Sequence, residues 1–201
     1  MKREKLSISL GALLFGALVY SAASFAELSA ILAAVIVHEL GHIVMLRLYG
    51  LRIRRFCVDL RGFCIEYGGL CSDWGHIVSA FAGPAAGLAY AFAASYFGRR
   101  CGNEVLTLSA GVSLLLSLFN LLPILPLDGG RIFSLAAAEL LGGRRGDKLT
   151  RTLGLALSAA LLVLGSWQMW RGEGTALCFV SLWLLLAQPE KAELVKKREL
   201  L

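Results

Sequence analysis

The chain has 201 residues, of which 57% are hydrophobic, and its mean hydropathy is +0.70. These values lie far from those of soluble globular domains, so the composition indicates a membrane protein. The net charge of +6 occurs without a basic stripe interleaved with aromatic residues. This pattern excludes a nucleic-acid surface and indicates membrane topology and contact with anionic lipid.

Long apolar runs recur along the chain and predict an all-α polytopic membrane protein with about six transmembrane helices. Every run except the last approaches the ~20 residues that cross about 30 Å of hydrocarbon. We interpret the first run as a helix rather than a cleavable signal peptide, because it is long and leads directly into the second. The predicted spans are Leu6–Ser24, Leu28–Leu48, Trp74–Phe97, Val105–Leu122, Thr152–Trp170 and Thr175–Ala187.

The basic residues are distributed unevenly between the two ends of these spans. Most of them precede the first span or follow the second, fourth and sixth, and only Arg99, Arg100 and Arg171 fall on the other side. Cytoplasmic loops carry the excess of lysine and arginine. The distribution therefore predicts a multi-pass protein of the cell membrane with both termini in the cytoplasm.

The second span contains the most informative motif, His38-Glu39-Leu40-Gly41-His42. Side chains at i and i+4 project from one helical face about one turn apart, so the two imidazoles can share a Zn²⁺ ion. Glu39 can then act as the general base toward water at the metal. The alternative is a buried histidine pair bonded to backbone carbonyls. That alternative is less favourable in hydrocarbon, where each charged residue costs roughly 2.5–3.5 kcal/mol.

Between the second and third spans the pattern changes from helical to alternating. Segments 52–54 and 63–67 predict two short strands with glycine turns, hence a small β-hairpin or sheet at the cytoplasmic interface. This element is either a plain connector or an edge that accepts an extended peptide. Cys57, Cys64 and Cys71 match no CxxC metal signature, and we interpret them as ordinary small residues.

The third span contains Gly83-Pro84-Ala85-Ala86-Gly87. Gly83 and Gly87 form a small-residue face that allows a neighbouring helix to approach closely. Pro84 would free a backbone carbonyl and bend the helix. Helix packing is the favoured interpretation of this segment.

A hydrolytic zinc site needs a third protein ligand. Pro123 and Pro126 cannot both sit in an unbroken helix, so the fourth span should end or unwind there. Gly129 and Gly130 allow a tight turn that directs Asp128 back toward the second span. Asp128 is therefore the predicted third ligand.

Two alternatives for Asp128 stay open: it caps a helix that begins near Arg131, or it pairs with Arg131 at the interface.

Asn120 lies one turn before the first proline. It either bonds carbonyls freed by the break or donates to the substrate or the developing oxyanion. The rival third ligands are Glu66, Asp59, Asp73, His76 and Glu139.

Together, the motif at 38–42, Asn120-Leu121-Leu122-Pro123 and Pro126-Leu127-Asp128-Gly129-Gly130 resemble the site-2 protease family of intramembrane zinc metalloproteases, peptidase family M50. The resemblance covers residues 28–132. The chain is most similar to the sporulation factor IVFB type, without its C-terminal regulatory domain.

The resemblance implies one Zn²⁺ ion per chain, bound by His38, His42 and Asp128, with Glu39 as the catalytic base. It further implies a single transmembrane metalloprotease domain over residues 1–201, with its core at 28–132 and C-terminal helices at 150–188. The implied partners are a membrane-tethered protein substrate, the lipid bilayer and regulatory membrane proteins. Gly87 stands where the family often has Asn, so a substrate contact from that Asn is not carried over.

Two rival functions belong to other classes. A metal-binding transporter or sensor would need polar residues along a continuous path through the membrane, whereas the polar groups of this chain cluster near one face. An inactive scaffold of the same fold would have no need for Glu39.

Overall fold

The structure is a computed structural model that describes residues 6–8, 20–21, 23–59, 62–68 and 72–188. The chain divides into two compact units, Met1–Phe119 and Asn120–Leu201. The first unit contains three strands and three helices, and the second contains three further helices, counted over the described residues.

Three strands form one sheet in the first unit: β1 (Leu6–Ile8), β2 (Arg52–Asp59) and β3 (Gly62–Gly68). The order is β1-β2-β3, with β1 parallel to β2 and β2 antiparallel to β3. The prediction that the first transmembrane span begins at Leu6 is wrong, because residues 6–8 pair with β2. A short apolar run does not distinguish a strand from a helix. Residues 9–19 of that predicted span lie outside the described residues.

Helix α1 spans Phe25–Leu48 and begins three residues before the predicted start. Ser24 and Glu27 form a reciprocal capping box: the Ser24 amide donates to the Glu27 carboxylate at 2.7 Å, and the Ser24 hydroxyl accepts from the Glu27 amide at 3.3 Å. These bonds satisfy amide groups that have no partner within the helix. Capping hydrogen bonds therefore determine where the helix begins, whereas the predicted start at Leu28 was based on hydropathy alone.

Opposite faces of α1 differ in character. Ala30, Ala34 and His38 are buried, and the large apolar side chains at every fourth position of the opposite face are exposed. An apolar face that protein does not cover is suited to contact lipid, since lipid tails are as apolar as these side chains. The exposed set is Leu32, Ile36, Leu40, Val44 and Leu48.

Helix α2 spans Asp73–Cys101 and continues through Pro84, and α3 spans Glu104–Asn120. Serine hydroxyls join these two helices: Ser113 donates to the Gly87 carbonyl at 2.9 Å, and the Tyr90 and Ser109 hydroxyls share a 2.9 Å hydrogen bond. Gly87 allows the approach, since a Cβ there would lie 2.2 Å from the Ser117 hydroxyl oxygen. The α2–α3 interface therefore combines small residues with polar contacts, as is typical of helices packed in membranes.

The second unit consists of α4 (Asp128–Leu141), α5 (Gly143–Trp170) and α6 (Ala176–Leu186). A Cβ on Gly146 would meet the α4 backbone at 2.6 Å, and one on Gly165 would meet the α6 backbone at 2.6 Å. These glycines let α5 cross both neighbours closely. The sequence analysis assigned no span to α4, and it began the fifth span at Thr152, nine residues after α5 begins.

Three of the described helices, α1, α2 and α5, are long and apolar enough to cross a membrane by length and composition. With 17 and 11 residues, α3 and α6 are shorter. At 1.5 Å per residue, α6 extends only about 16 Å. The described part of the chain therefore supports a membrane protein with at least these spans and does not support the predicted count of six.

Candidate metal centre

The two histidines of the HExxH motif meet on the buried face of α1. His38 is 3% exposed and His42 is half-buried. Their ring centroids are 5.0 Å apart, with the planes at 78° to each other. The distance between the His38 and His42 Nε2 atoms is 3.3 Å, so each ring turns its Nε2 atom toward the other ring.

This separation fits a shared zinc ion. Two imidazole nitrogens, each about 2.05 Å from a tetrahedral ion, stand about 3.3–3.4 Å apart. The distance between the His38 and His42 Nε2 atoms is 3.3 Å. The pair therefore offers two correctly spaced ligand atoms.

Helix α2 holds the His42 ring from the other side. Because a carbonyl can only accept, the 2.8 Å contact between His42 Nδ1 and the Ser79 carbonyl means that Nδ1 carries the proton and donates. Nε2 is then the ring nitrogen that carries the lone pair, and metal-binding histidines almost always donate their other ring N–H in this way. One turn further along α2, a Cβ on Gly83 would lie 2.2 Å from His42 Nε2, so only glycine leaves room for the ring there.

Gly41, inside the motif, brings α1 close enough to α2 for these contacts. A Cβ on Gly41 would lie 2.4 Å from the Ala82 carbonyl oxygen. The close crossing explains how a side chain as short as imidazole reaches the α2 backbone. Glu39 lies between the two histidines on α1 and is half-buried.

Asp128 is the first residue of α4, in the second unit, and is 7% exposed. The N-cap of α4 is Leu127, which makes no side-chain cap bond, so the alternative that Asp128 caps the helix is wrong. The Asp128 carboxylate lies 3.8 Å from the half-exposed Arg131 guanidinium. A carboxylate in the first helical turn is also favoured by the helix dipole.

The turn between Asn120 and Asp128 is tightly packed. Its amides bond within the turn, from Ile124 to the Leu122 carbonyl at 2.7 Å and from Leu127 to the Ile124 carbonyl at 2.9 Å. A Cβ on Gly129 would lie 2.1 Å from the Leu121 carbonyl oxygen. Asp128 is therefore presented by irregular but well-packed backbone, and the helix ends before the prolines, as they predict.

The remaining candidates occupy varied places. Asn120 is the half-buried last residue of α3. His76 is buried on α2, at 8% exposed. Asp73 and Glu139 are exposed, which makes them poor third ligands, and the side chains of Asp59 and Glu66 lie outside the described part of the structure.

Sequence reasoning missed Ser79 and the reason for Gly83. Ser79 acts through its backbone carbonyl, which any residue could provide, so no residue type signals it. The small-residue spacing of Gly83 and Gly87 predicted a close neighbour. At Gly83 that neighbour is the His42 ring of α1.

Comparison with known proteins agrees with this class of fold and site. Residues 98–165 match the family model "Peptidase family M50". The zinc metalloprotease Rip3 of Mycobacterium tuberculosis, from strains Erdman and H37Rv, is 30% identical over 187 residues. That alignment covers 85% of this chain and 47% of Rip3, so the chain spans about half the length of the curated relatives it matches.

The solved structure of the site-2 protease from Methanocaldococcus jannaschii superimposes with a TM-score of 0.72 at 21% identity. It covers 93% of this chain and 91% of that one, which shows that the two share a fold. The histidine pair on an apolar helix of this fold is the arrangement expected of a metal centre within a membrane protein. The family model and the alignment with Rip3, which spans about half of that protein, agree with the resemblance to peptidase family M50 that the motifs indicate. The sporulation factor IVFB subtype stays a prediction.

Proposed function

We propose that this chain is an intramembrane zinc metalloprotease that hydrolyses peptide bonds of membrane-tethered proteins within or near the bilayer. The observation that carries the proposal is the pair of Nε2 atoms, 3.3 Å apart on an apolar helix, with Glu39 between the two histidines. The family match and the name of the curated relative support the same chemistry.

His38, His42 and Asp128 together offer a donor set suited to one zinc ion, and we assign all three as its ligands. Two neutral imidazoles and one carboxylate are a ligand set of catalytic zinc sites, which keep a fourth position open. Zinc bound there would lower the pKa of a coordinated water to about 7 and polarise the substrate carbonyl.

The chain's own residues then have distinct roles. Glu39 accepts the proton of the attacking water and delivers it to the amine that leaves. The Ser79 carbonyl keeps His42 in the tautomer whose Nε2 binds metal. Asn120, at the end of α3, is assigned as a donor to the substrate carbonyl as negative charge develops on its oxygen.

A substrate helix hides its carbonyls in hydrogen bonds, so the segment to be cut must become extended. We assign the β2–β3 pair as the element that holds this segment. In the described sheet, β3 has β2 as a neighbour on one side, which leaves its other edge for a peptide strand.

The membrane topology belongs to the same proposal. The apolar runs favour six crossing segments, the charge distribution favours both termini in the cytoplasm, and we assign them to one domain over residues 1–201. The site would then lie near the cytoplasmic end of α1, since His42 is five residues from Arg47, or about 7–8 Å along the axis. Regulatory membrane proteins are further proposed partners.

Substitution of the base tests the mechanism. Glu39→Gln should bind zinc as the wild type does and cleave a membrane-tethered test substrate about 10²–10⁴ times more slowly, the usual contribution of a general base. The measurement is single-turnover cleavage in proteoliposomes, with Glu139→Gln, an exposed carboxylate of α4, as the matched control. Cleavage by Glu39→Gln at the wild-type rate would reject the mechanism, and zinc flux across the same vesicles would favour a transporter.

A further inference from the structure

The side chain of Gln188, just after α6, reaches the turn that precedes Asp128. Gln188 Nε2 donates a 3.0 Å hydrogen bond to the Leu125 carbonyl, across 63 positions of sequence. Leu184 is 0% exposed and Ala187 is 6% exposed, so the segment that carries Gln188 is firmly packed. The proposed function gives no role to this contact, which lies entirely within the second unit.

The Leu125 carbonyl needs a donor from elsewhere in the fold. Pro126, the next residue, and Pro123, two positions earlier, have no N–H to give. The Ile124 and Leu127 amides donate to other carbonyls of the same turn. Leu125 is 8% exposed, and a buried carbonyl without a partner costs free energy comparable to a lost hydrogen bond. The Gln188 carboxamide removes that cost.

The backbone from Leu125 to Asp128 is short and stiff, so the position of one affects the other. Pro126 has its φ fixed near −65° by the ring. Gly130 packs so closely on this turn that a Cβ would lie 2.4 Å from the Ile124 carbonyl carbon and 2.5 Å from the Leu125 amide nitrogen. A shift of the Leu125 carbonyl is therefore passed on to Asp128, three residues later.

Helix α5 leaves a space for the carboxamide. A Cβ on Gly154 would lie 3.3 Å from both Gln188 Nε2 and Gln188 Oε1. That distance is tighter than ordinary van der Waals contact, so even an alanine at 154 would press on the amide. Gly154 is thus matched to Gln188 in the folded unit.

We propose that Gln188 is a positioning residue for the metal centre: through the Leu125 carbonyl it holds the turn that sets the Asp128 carboxylate, and Gly154 gives it room. This role rests on the proposed function, in which Asp128 is a zinc ligand. Gln188 itself touches neither metal nor substrate in this scheme.

The first test replaces the donor in the full chain. Gln188→Met keeps the length of the side chain without a donor, and Gln188→Glu keeps its shape but cannot donate when ionised. Both should weaken zinc binding about tenfold, the lower end of the effect of groups that orient metal ligands. The measurement is the zinc Kd by competition with a chelating dye, with the melting temperature recorded in the same detergent.

Gly165→Ala is the matched packing control, since its Cβ would meet the α6 backbone at 2.6 Å, away from the turn. It should lower the melting temperature and leave the zinc Kd unchanged. If the Gln188 variants behave in the same way, their contact is only structural and the positioning role is overturned. If the wild type binds no zinc, both the proposed function and this role are contradicted. If the wild type binds zinc and the Gln188 variants bind it equally well, only this role is overturned.

A double-mutant cycle tests whether Gly154 and Gln188 act as a pair. Gly154→Ala should weaken zinc binding about twofold to threefold in the wild-type background. It should have no further effect in Gln188→Met, because that variant has no hydrogen bond to the Leu125 carbonyl left to disturb. Coupled residues in contact depart from additivity in this way. Fully additive effects on the zinc Kd would contradict the proposed contact.

Discussion

The two regions that contribute to the proposed zinc site are built in different ways. The histidine region consists of regular helix: α1 supplies His38 and His42, and α2 holds the second ring through Ser79 and Gly83. The aspartate region is irregular backbone between α3 and α4, fixed by prolines, glycines and the distant Gln188. A ligand pair on one helix is therefore set by local spacing, whereas a ligand on a turn depends on the packing of the whole unit.

Loss of one ligand gives the largest expected effect. His42→Ala should weaken zinc binding by more than about a hundredfold, because even groups that merely orient ligands contribute 10–100-fold. The measurement is the zinc Kd of the purified chain. His76→Ala is the control, since His76 is also buried but lies on α2 outside the pair. Equal losses in the two variants would show that the effect comes from damage to the fold.

Gly83→Ala should sharpen the comparison, because it keeps all three proposed ligand residues and presses only on the ring of His42. We expect zinc binding about 10–100-fold weaker, as for loss of an orienting group. Gly111→Ala on α3 is matched to it, since a Cβ there meets nothing within 4 Å. If both variants retain wild-type zinc affinity, the close fit between α2 and the ring has no role in the site.

The smallest expected effect concerns the helix interface alone. Ser113→Ala removes the hydrogen bond to the Gly87 carbonyl, and such bonds between membrane helices contribute about 0.6 kcal/mol on average. Thermal unfolding in detergent should show a slight loss of stability, and the zinc Kd should not change. A large loss of zinc affinity would mean that the α2–α3 interface governs the metal centre, and that the histidine region does not depend on α1 and α2 alone.

The two regions were also unequally predictable from sequence. HExxH spacing predicts the meeting of His38 and His42, because helical geometry alone puts i and i+4 on one face. Asp128 was predicted from the prolines and glycines around it, and its role as the third ligand stays a prediction. Gln188 could not be found, since a contact across 63 positions has no local signature.

The fold shows the same division. Apolar runs located α1, α2 and most of α5 as helices long and apolar enough to cross a membrane, since length and hydropathy are properties of the local chain. They did not locate α4, whose first residues include Gly129 and Gly130, poor helix formers that tertiary packing keeps in the helix. The start at Leu6 was wrong because strand pairing with β2, a contact distant in sequence, decides its structure.

The central claim is that Asp128 completes a zinc site begun by the two histidines. The most direct measurement is the zinc stoichiometry and Kd of the purified wild type beside Asp128→Ala, with Asp73→Ala as an exposed carboxylate control. We predict one zinc per chain in the wild type and in Asp73→Ala, and binding weakened by more than about a hundredfold in Asp128→Ala. Wild-type affinity in Asp128→Ala would contradict the claim.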